Sequence, residues 1–128
     1  MNQVEFKNRT KKFALRIIRL VESLGNIKTA SVIGRQLLRS GTSVGANYRA
    51  ACRARSRAEF VSKMGIVEEE CDESLYWMEL LIESCLIKPS KLGPLTKEAD
   101  ELLAMIVASS RTAKSRGNPQ SEIRNPKS

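Results

Sequence analysis

The side chains best suited to chemistry in this sequence are basic, and they fall into two groups. The arginine cluster lies in the middle of the chain and comprises Arg49, Arg53, Arg55 and Arg57. The basic stripe follows the first predicted helix and comprises Lys11, Lys12, Arg16 and Arg19. A guanidinium group presents a planar fork of donors that matches phosphate oxygens. The sequence therefore predicts a surface that binds the phosphate backbone of RNA or DNA.

Aromatic residues are sparse in the arginine cluster. Only Tyr48 lies beside these arginines, so the sequence does not predict stacking of bases on aromatic rings. We therefore expect contacts with phosphates rather than with bases, and binding that depends little on nucleotide sequence.

Charge is segregated along the chain, whose formal net charge is +8. Residues 1–57 carry 13 Lys and Arg against 2 Asp and Glu, whereas residues 58–110 carry 4 against 11. The acidic excess lies in the third predicted helix, in Glu68, Glu69, Glu70, Asp72 and Glu73. These carboxylates allow a second interpretation of the arginine cluster, because they could neutralise it within or between subunits. The sequence leaves both interpretations open.

Catalytic and metal-binding patterns are weak. The chain has no histidine, which removes the usual general base and the histidine ligands of di-iron helical bundles. Glu69, Asp72 and Glu73 share a helix face, and such acidic runs are usually solvated rather than bound to a cation. The segment from Gly41 to Gly45 lacks the following lysine of a phosphate-binding loop. We therefore predict no enzyme, catalytic residue, metal, cofactor or small-molecule substrate.

The remaining composition indicates the cellular setting. Cys52, Cys71 and Cys85 cannot all pair within one chain and form no CxxC motif, so we expect reduced, buried thiols. The sequence contains neither an apolar run long enough to cross a bilayer nor a signal peptide, and we expect a cytoplasmic protein without a membrane partner.

Apolar spacing predicts four amphipathic helices. The first spans about 8–24 and the second begins near Thr29, a plausible N-cap, and continues to Ala51. The third runs from Phe60 to Cys85, and Lys88-Pro89-Ser90 closes it; the fourth begins near Thr96. Short connections predict an all-α, up-down antiparallel four-helix bundle over residues 1–116. Residues 117–128 repeat an Asn-Pro-x-Ser unit and are expected to form a disordered, low-complexity tail.

Small residues in the second helix predict a helix-packing seam, formed by Gly41, Ser43, Gly45, Ala46 and Asn47. Glycine in a helix interior costs about 1 kcal/mol relative to alanine, which indicates a packing reason for Gly41 and Gly45. Close approach of a second helix is the favoured interpretation. The alternative is a ligand pocket to which Ser43 or Asn47 would supply polar groups.

Together, the run from Arg39 to Arg57 and the segment from Glu68 to Leu81 closely resemble a family of bacterial four-helix-bundle proteins labelled the 23S rRNA intervening-sequence protein family. They are more distantly similar to the accessory variability proteins of diversity-generating retroelements. The resemblance implies the bundle fold and a homopentamer. It implies no biochemical activity.

Three functional hypotheses follow. The first is a non-enzymatic, oligomeric scaffold that binds nucleic acid or associates with a ribonucleoprotein. The second is a protein-interaction adaptor whose basic surface docks an acidic partner. A weak metalloenzyme is the third, and the absence of histidine makes it the least favoured.

Overall fold

The fold is an antiparallel bundle of four helices. The structure, a computed structural model, describes residues 1–117. Its helices are α1 (Gln3–Glu22), α2 (Lys28–Cys52), α3 (Arg57–Glu83) and α4 (Pro89–Gly117), and there is no strand within these residues. Successive helices are neighbours, and α1 also touches α4. The predicted all-α, up-down four-helix bundle is confirmed, whereas the predicted tail lies outside the described residues beyond Gly117.

Side-chain caps fix the starts of α1 and α3. Asn2 Oδ1 accepts a hydrogen bond of 2.9 Å from the backbone N–H of Glu5, and Ser56 Oγ accepts one of 3.1 Å from that of Glu59. Each cap satisfies one of the donors that a helix N-terminus leaves unpaired. Because Asn2 caps α1, this helix begins at Gln3, and the predicted start near residue 8 was wrong.

Two other predicted boundaries were also wrong. The N-cap of α2 is Ile27, which makes no side-chain cap, so Thr29 lies inside the helix. Pro89 begins α4 instead of only closing α3, because proline suits the first position of a helix, where its missing N–H is not needed. Thr96 therefore lies inside α4, where its hydroxyl donates to the carbonyl of Leu92 at 3.0 Å.

One core runs along the bundle axis and is built from all four helices. Its fully buried large apolar side chains are Phe13, Ile17, Leu37, Val44, Met64, Val67, Met78, Leu81, Leu92, Leu102 and Ile106. Within each helix they are separated by three or four residues or by sums of these steps, which is the spacing that places residues on one helix face. The predicted apolar stripes thus account for the packing of the bundle.

The three cysteines are all free thiols, in different surroundings. Cys71 is buried, and burial raises its pKa to about 12, so the thiol stays protonated. Cys52 is half-buried and Cys85 is exposed. The prediction of three buried thiols was therefore wrong for Cys85, because α3 ends at Glu83 and Cys85 follows with a φ of 64°.

Two arginines tie the helices together at the surface of the core. Arg9 joins α1 to α4, with its Nη2 atom 2.7 Å from carboxylate oxygens of both Glu98 and Glu101. Arg39 joins α2 to α3, with distances of 3.0 Å to Glu70 and 2.6 Å to Glu73. The hydrogen bond from Arg9 lowers the pKa of Glu98, and that from Arg39 lowers the pKa of Glu73.

We expect Arg9→Met to destabilise the bundle by about 1–2 kcal/mol at pH 7, because it removes charge-assisted hydrogen bonds at a partly buried site. The folded-state pKa of Glu98 lies below its unfolded value of about 4.3, so its stabilising effect is present above that value and is lost as pH falls through the folded pKa. Urea denaturation at pH 7 and pH 3 should therefore show a difference that shrinks in acid. Arg35→Met, at an exposed arginine, should change little, and an Arg9→Met loss of equal size at both pH values would contradict the assignment.

Candidate nucleic-acid interface

The geometry of this region begins with the contact between α1 and α2. A Cβ atom added to Gly41 would lie 2.9 Å from Ile17 Cγ1, and one added to Gly45 would lie 3.1 Å from Thr10 Oγ1. Such distances are shorter than ordinary van der Waals contact. The side chains of α1 therefore rest directly on the backbone of α2, and a Cβ atom at either position would force its neighbour in α1 to shift.

Sequence reasoning missed a third glycine in this contact. A Cβ atom on Gly34 would lie 2.7 Å from Leu24 Cδ1, near the turn that joins the two helices. Gly34, Gly41 and Gly45 follow one another at steps of seven and four, so they share one face of α2. That spacing was a signal that could have identified all three.

The other predicted seam residues lie elsewhere on α2. Ser43 and Asn47 are half-buried and donate to carbonyl oxygens of their own helix, Ser43 to Arg39 at 2.6 Å and Asn47 to Ser43 at 2.8 Å. Their donors are thus used within α2, as is common for short polar side chains in helices. Ala46 is exposed and borders a groove.

This groove runs between α1 and α2 and has a volume of about 400 Å³. Lys7 and Lys11 line it from α1, Arg49 lines it from the last turn of α2, and Arg53 lines it from the C-cap of that helix; we call it the basic groove. The small residues of α2 leave it open, because no long side chain fills the space above Gly45. Its volume lies in the range typical of ligand-binding clefts.

The charges in the basic groove are not neutralised. Within residues 1–117, none of its four cationic side chains forms an ion pair or hydrogen bond, and the lining includes no carboxylate. Thr10 and Thr42 also line it, but their hydroxyls donate to carbonyl oxygens of Lys7 and Leu38. The groove therefore offers an anion the donors of its lysines and arginines, together with the exposed side-chain amide of Asn8.

The other two arginines of the cluster, Arg55 and Arg57, lie in different surroundings. The side chain of Arg55 is exposed in the turn between α2 and α3. Arg57 instead donates from Nη1 to the carbonyl oxygen of Arg116 at 2.6 Å and so joins the start of α3 to the end of α4. The structure thus brings Arg49 and Arg53 together in the groove and gives Arg57 a structural contact.

Further basic residues reach the same end of the bundle. Antiparallel packing places the last turns of α4, which carry Arg111, Lys114 and Arg116, beside the start of α3. Lys7 joins them from α1. These residues lie outside the predicted candidate site, although the up-down topology was sufficient to place the ends of α2 and α4 together.

The basic stripe follows α1 away from this end. Lys11, Lys12 and Arg19 are exposed and Arg16 is half-buried. Arg16 and Lys12 lie close enough to Glu98 of α4 to help lower the pKa of that carboxyl group, after the larger effect of Arg9. Of the stripe, only Lys11 lines the basic groove.

The acidic residues of α3 do not neutralise the arginine cluster through the ion pairs found in the described part of the protomer. Glu70 and Glu73 instead bind Arg39, and Glu73 also accepts a hydrogen bond of 3.3 Å from Trp77 Nε1. Glu69 and Asp72 are exposed. The interpretation that carboxylates neutralise the arginine cluster therefore requires carboxylates of another subunit.

Residues 1–117 contain neither a candidate metal site nor a candidate membrane span. No group of three or more histidine, cysteine, aspartate or glutamate side chains in this range could hold a metal ion. No helix of this range is long and apolar enough to span a membrane.

The structure therefore defines the class of protein: an all-α bundle with a basic end and an open groove between its first two helices. The model of the 23S rRNA-intervening sequence protein family matches residues 2–108, and the chain belongs to this family. A solved structure from Bacteroides thetaiotaomicron, a protein of unknown function from the S23 ribosomal protein family, is similar with a TM-score of 0.81 and 35% identity. The match covers 87% of this chain and 99% of that one. No curated protein matches the chain significantly.

Two alanine substitutions test the contact that shapes the groove. Gly41→Ala should destabilise the protein by about 1–3 kcal/mol, because its Cβ meets Ile17 and overpacks the contact. The control is Gly65→Ala in α3, where a Cβ meets nothing within 4 Å and the substitution should stabilise by up to about 1 kcal/mol. Urea denaturation measures both values, and equal effects of the two substitutions would disprove the close contact.

Proposed function

We propose that this protein is a non-enzymatic, oligomeric scaffold that binds the phosphate backbone of RNA or DNA and associates with a cytoplasmic ribonucleoprotein. The observation that carries the proposal is the basic groove, where Lys7, Lys11, Arg49 and Arg53 face one cleft without a partner among residues 1–117. The family name refers to an intervening sequence of ribosomal RNA, and this supports RNA as the class of ligand.

Helix dipoles stabilise only two of the four cations in the basic groove. Arg49 and Arg53 lie at the end of α2, where the partial negative charge of the helix dipole stabilises cations. Lys7 and Lys11 lie in the first half of α1, where the dipole gives no such stabilisation. Four like charges around one groove repel one another, and an anionic ligand would relieve that repulsion.

We further propose a homopentamer, the oligomer that the family resemblance implies. Exposed apolar residues support an assembly in which α1 of one subunit packs on α3 of the next. Leu15 and Ile18 lie on α1 among basic residues, and Ile66 and Tyr76 lie on α3, which also exposes Glu69 and Asp72. Opposite charges beside apolar patches suit a head-to-tail contact, which closes into a ring. A ring would repeat the basic groove and raise affinity through avidity.

The assembly predicts an effect of charge on the apolar face of α1. Leu15→Glu should dissociate the oligomer, because it places a carboxylate where the acidic face of α3 would pack. Val32→Glu on α2 is the matched control, since Val32 is 44% exposed and Leu15 is 45% exposed. Light scattering measures the molar mass of each variant. A wild-type monomer, or dissociation by both variants alike, would contradict the α1–α3 contact.

The nucleic-acid hypothesis predicts salt-sensitive binding. A combined Arg49→Gln, Arg53→Gln and Arg55→Gln variant should bind single-stranded RNA more weakly at low salt, and the slope of log K against log salt should fall by about 2 because three phosphate contacts are lost. Arg57 is left unchanged because it contacts Arg116. Fluorescence anisotropy measures binding, and light scattering shows whether the oligomer stays intact.

The matched control removes three cations from the opposite end of the bundle, with Lys28→Gln, Arg35→Gln and Lys88→Gln. These side chains are exposed. It should retain most of the affinity, because the proposal assigns binding to the groove end and not to net charge. An intact oligomer that binds no nucleic acid would refute the proposal and favour the adaptor that docks an acidic protein.

A further inference from the structure

We infer that the basic groove holds a terminal polyphosphate, the linear chain of phosphates at the 5′ end of a newly made RNA and of a nucleoside triphosphate, in preference to the phosphodiesters inside a strand. The inference rests on the proposed function and deepens it, because it names the part of the ligand that the groove binds. It depends on where the four cations converge, how much space they enclose and how much negative charge that space can take.

Lys7 and Arg49 lie opposite each other across the groove. Each directly follows an aromatic residue, and the rings of those residues, Phe6 and Tyr48, pack edge to face with their centroids 4.7 Å apart. This contact joins α1 to α2 and brings the next residue of each helix to the same level. One lysine and one arginine therefore meet across the cleft that both of them line.

The other two cations lie on either side of this level. Lys11 is one turn further along α1, and Arg53 is one turn beyond Arg49 at the C-cap of α2, so the antiparallel helices displace them in opposite directions. Side chains of a helix lean toward its N-terminus, which tilts Lys11 and Arg53 back toward each other. The four cations thus converge on one cleft, whose lining contains all of them.

The enclosed space matches the charge of a polyphosphate. A compact cleft of about 400 Å³ is about 7 Å across, and one strand carries a negative charge for about every 3.4 Å of helix axis, so about two phosphodiesters lie beside the four cations. A linear triphosphate carries about four charges, because its terminal phosphate is close to doubly ionised at pH 7. The terminal group therefore balances the four cations, whereas a passing strand leaves about half of their charge unbalanced.

A terminal phosphate is also open on more sides. A phosphodiester is flanked by two sugars, whereas a terminal phosphate presents three acceptor oxygens to donors from both helices. Besides the cations, the exposed amide of Asn8 can donate to the same anion. Gly45 and Ala46 border the cleft and leave it open, and its lining includes no carboxylate that would oppose the anion.

Two RNAs of equal charge test this preference. One is an oligouridine of about 12 nucleotides with a 5′-triphosphate, and the other is about four nucleotides longer with a 5′-hydroxyl, so that its extra phosphodiesters replace the charge of the triphosphate. A surface that acts only through net charge binds both RNAs alike. We expect the wild-type protein to bind the triphosphate RNA about tenfold more tightly, the size of one further charge-assisted hydrogen bond. Fluorescence anisotropy of a 3′ label measures both affinities at one ionic strength without Mg²⁺.

Paired substitutions show whether the groove causes the preference. Lys7→Gln with Arg53→Gln removes one cation from each wall and should abolish the preference, whereas Lys28→Gln with Arg35→Gln, at exposed cations of the opposite end, should retain it. Circular dichroism verifies folding, and light scattering verifies the oligomer. Inorganic tripolyphosphate and ATP are then titrated as competitors of the RNA bound to the wild-type protein, with orthophosphate as the control.

Loss of the preference in the groove pair, with its retention in the control pair, would support the inference. If the groove pair does not fold, displacement of RNA from the wild type by tripolyphosphate still decides the outcome. Displacement by ATP as well would show that a free nucleotide can supply the polyphosphate, and weak displacement by ATP would assign it to RNA ends.

Equal binding of the two RNAs by the wild type, without displacement by tripolyphosphate, would overturn the inference while leaving the proposed function intact. Binding of tripolyphosphate without either RNA, measured by calorimetry, would overturn the proposed function alone. No binding of either RNA or of tripolyphosphate would overturn both.

Discussion

The contact between the backbone of α2 and the side chains of α1 is the constraint on which the basic groove depends. A Cβ atom at Gly41 or Gly45 would force Ile17 or Thr10 to shift, so these positions constrain how closely the two helices pack. This packing brings Lys7 of α1 to the same cleft as Arg53 of α2. The packing of α1 against α2 thus determines which basic side chains line the groove.

The cations of the bundle divide into those that hold it together and those left for another partner. Arg9 and Arg39 each bind two carboxylates; Arg9 connects α1 to α4, and Arg39 connects α2 to α3. Arg49 and Arg53 bind none within residues 1–117, although acidic residues are plentiful on α3. Bundle stability and the proposed binding therefore rest on different arginines. We therefore expect replacement of the groove arginines to leave the protein folded.

The apolar pattern was sufficient to predict the fold, because steps of three and four residues describe the buried face of every helix. Helix starts were harder, since Asn2 and Pro89 act through local backbone chemistry that periodicity does not record. The residue types of the candidate site could be predicted from the sequence, but their arrangement around a groove could not. Sequence spacing placed Arg57 with Arg53, whereas the structure gives Arg57 a contact with α4. Lys7 was not predicted as a site residue, because its place in the groove depends on how α1 packs against α2.

The distribution of charge also limits the directions from which a polyanion can approach. Glu69 and Asp72 are exposed on α3, so that flank repels phosphate, while the α1–α2 side and the neighbouring helix ends attract it. The acidic flank is in turn the natural counterpart of the basic stripe of another copy. Binding of nucleic acid and assembly would then use different arginines, with Lys11 belonging to both the basic groove and the basic stripe. A single segregation of charge along the sequence accounts for both proposed interactions.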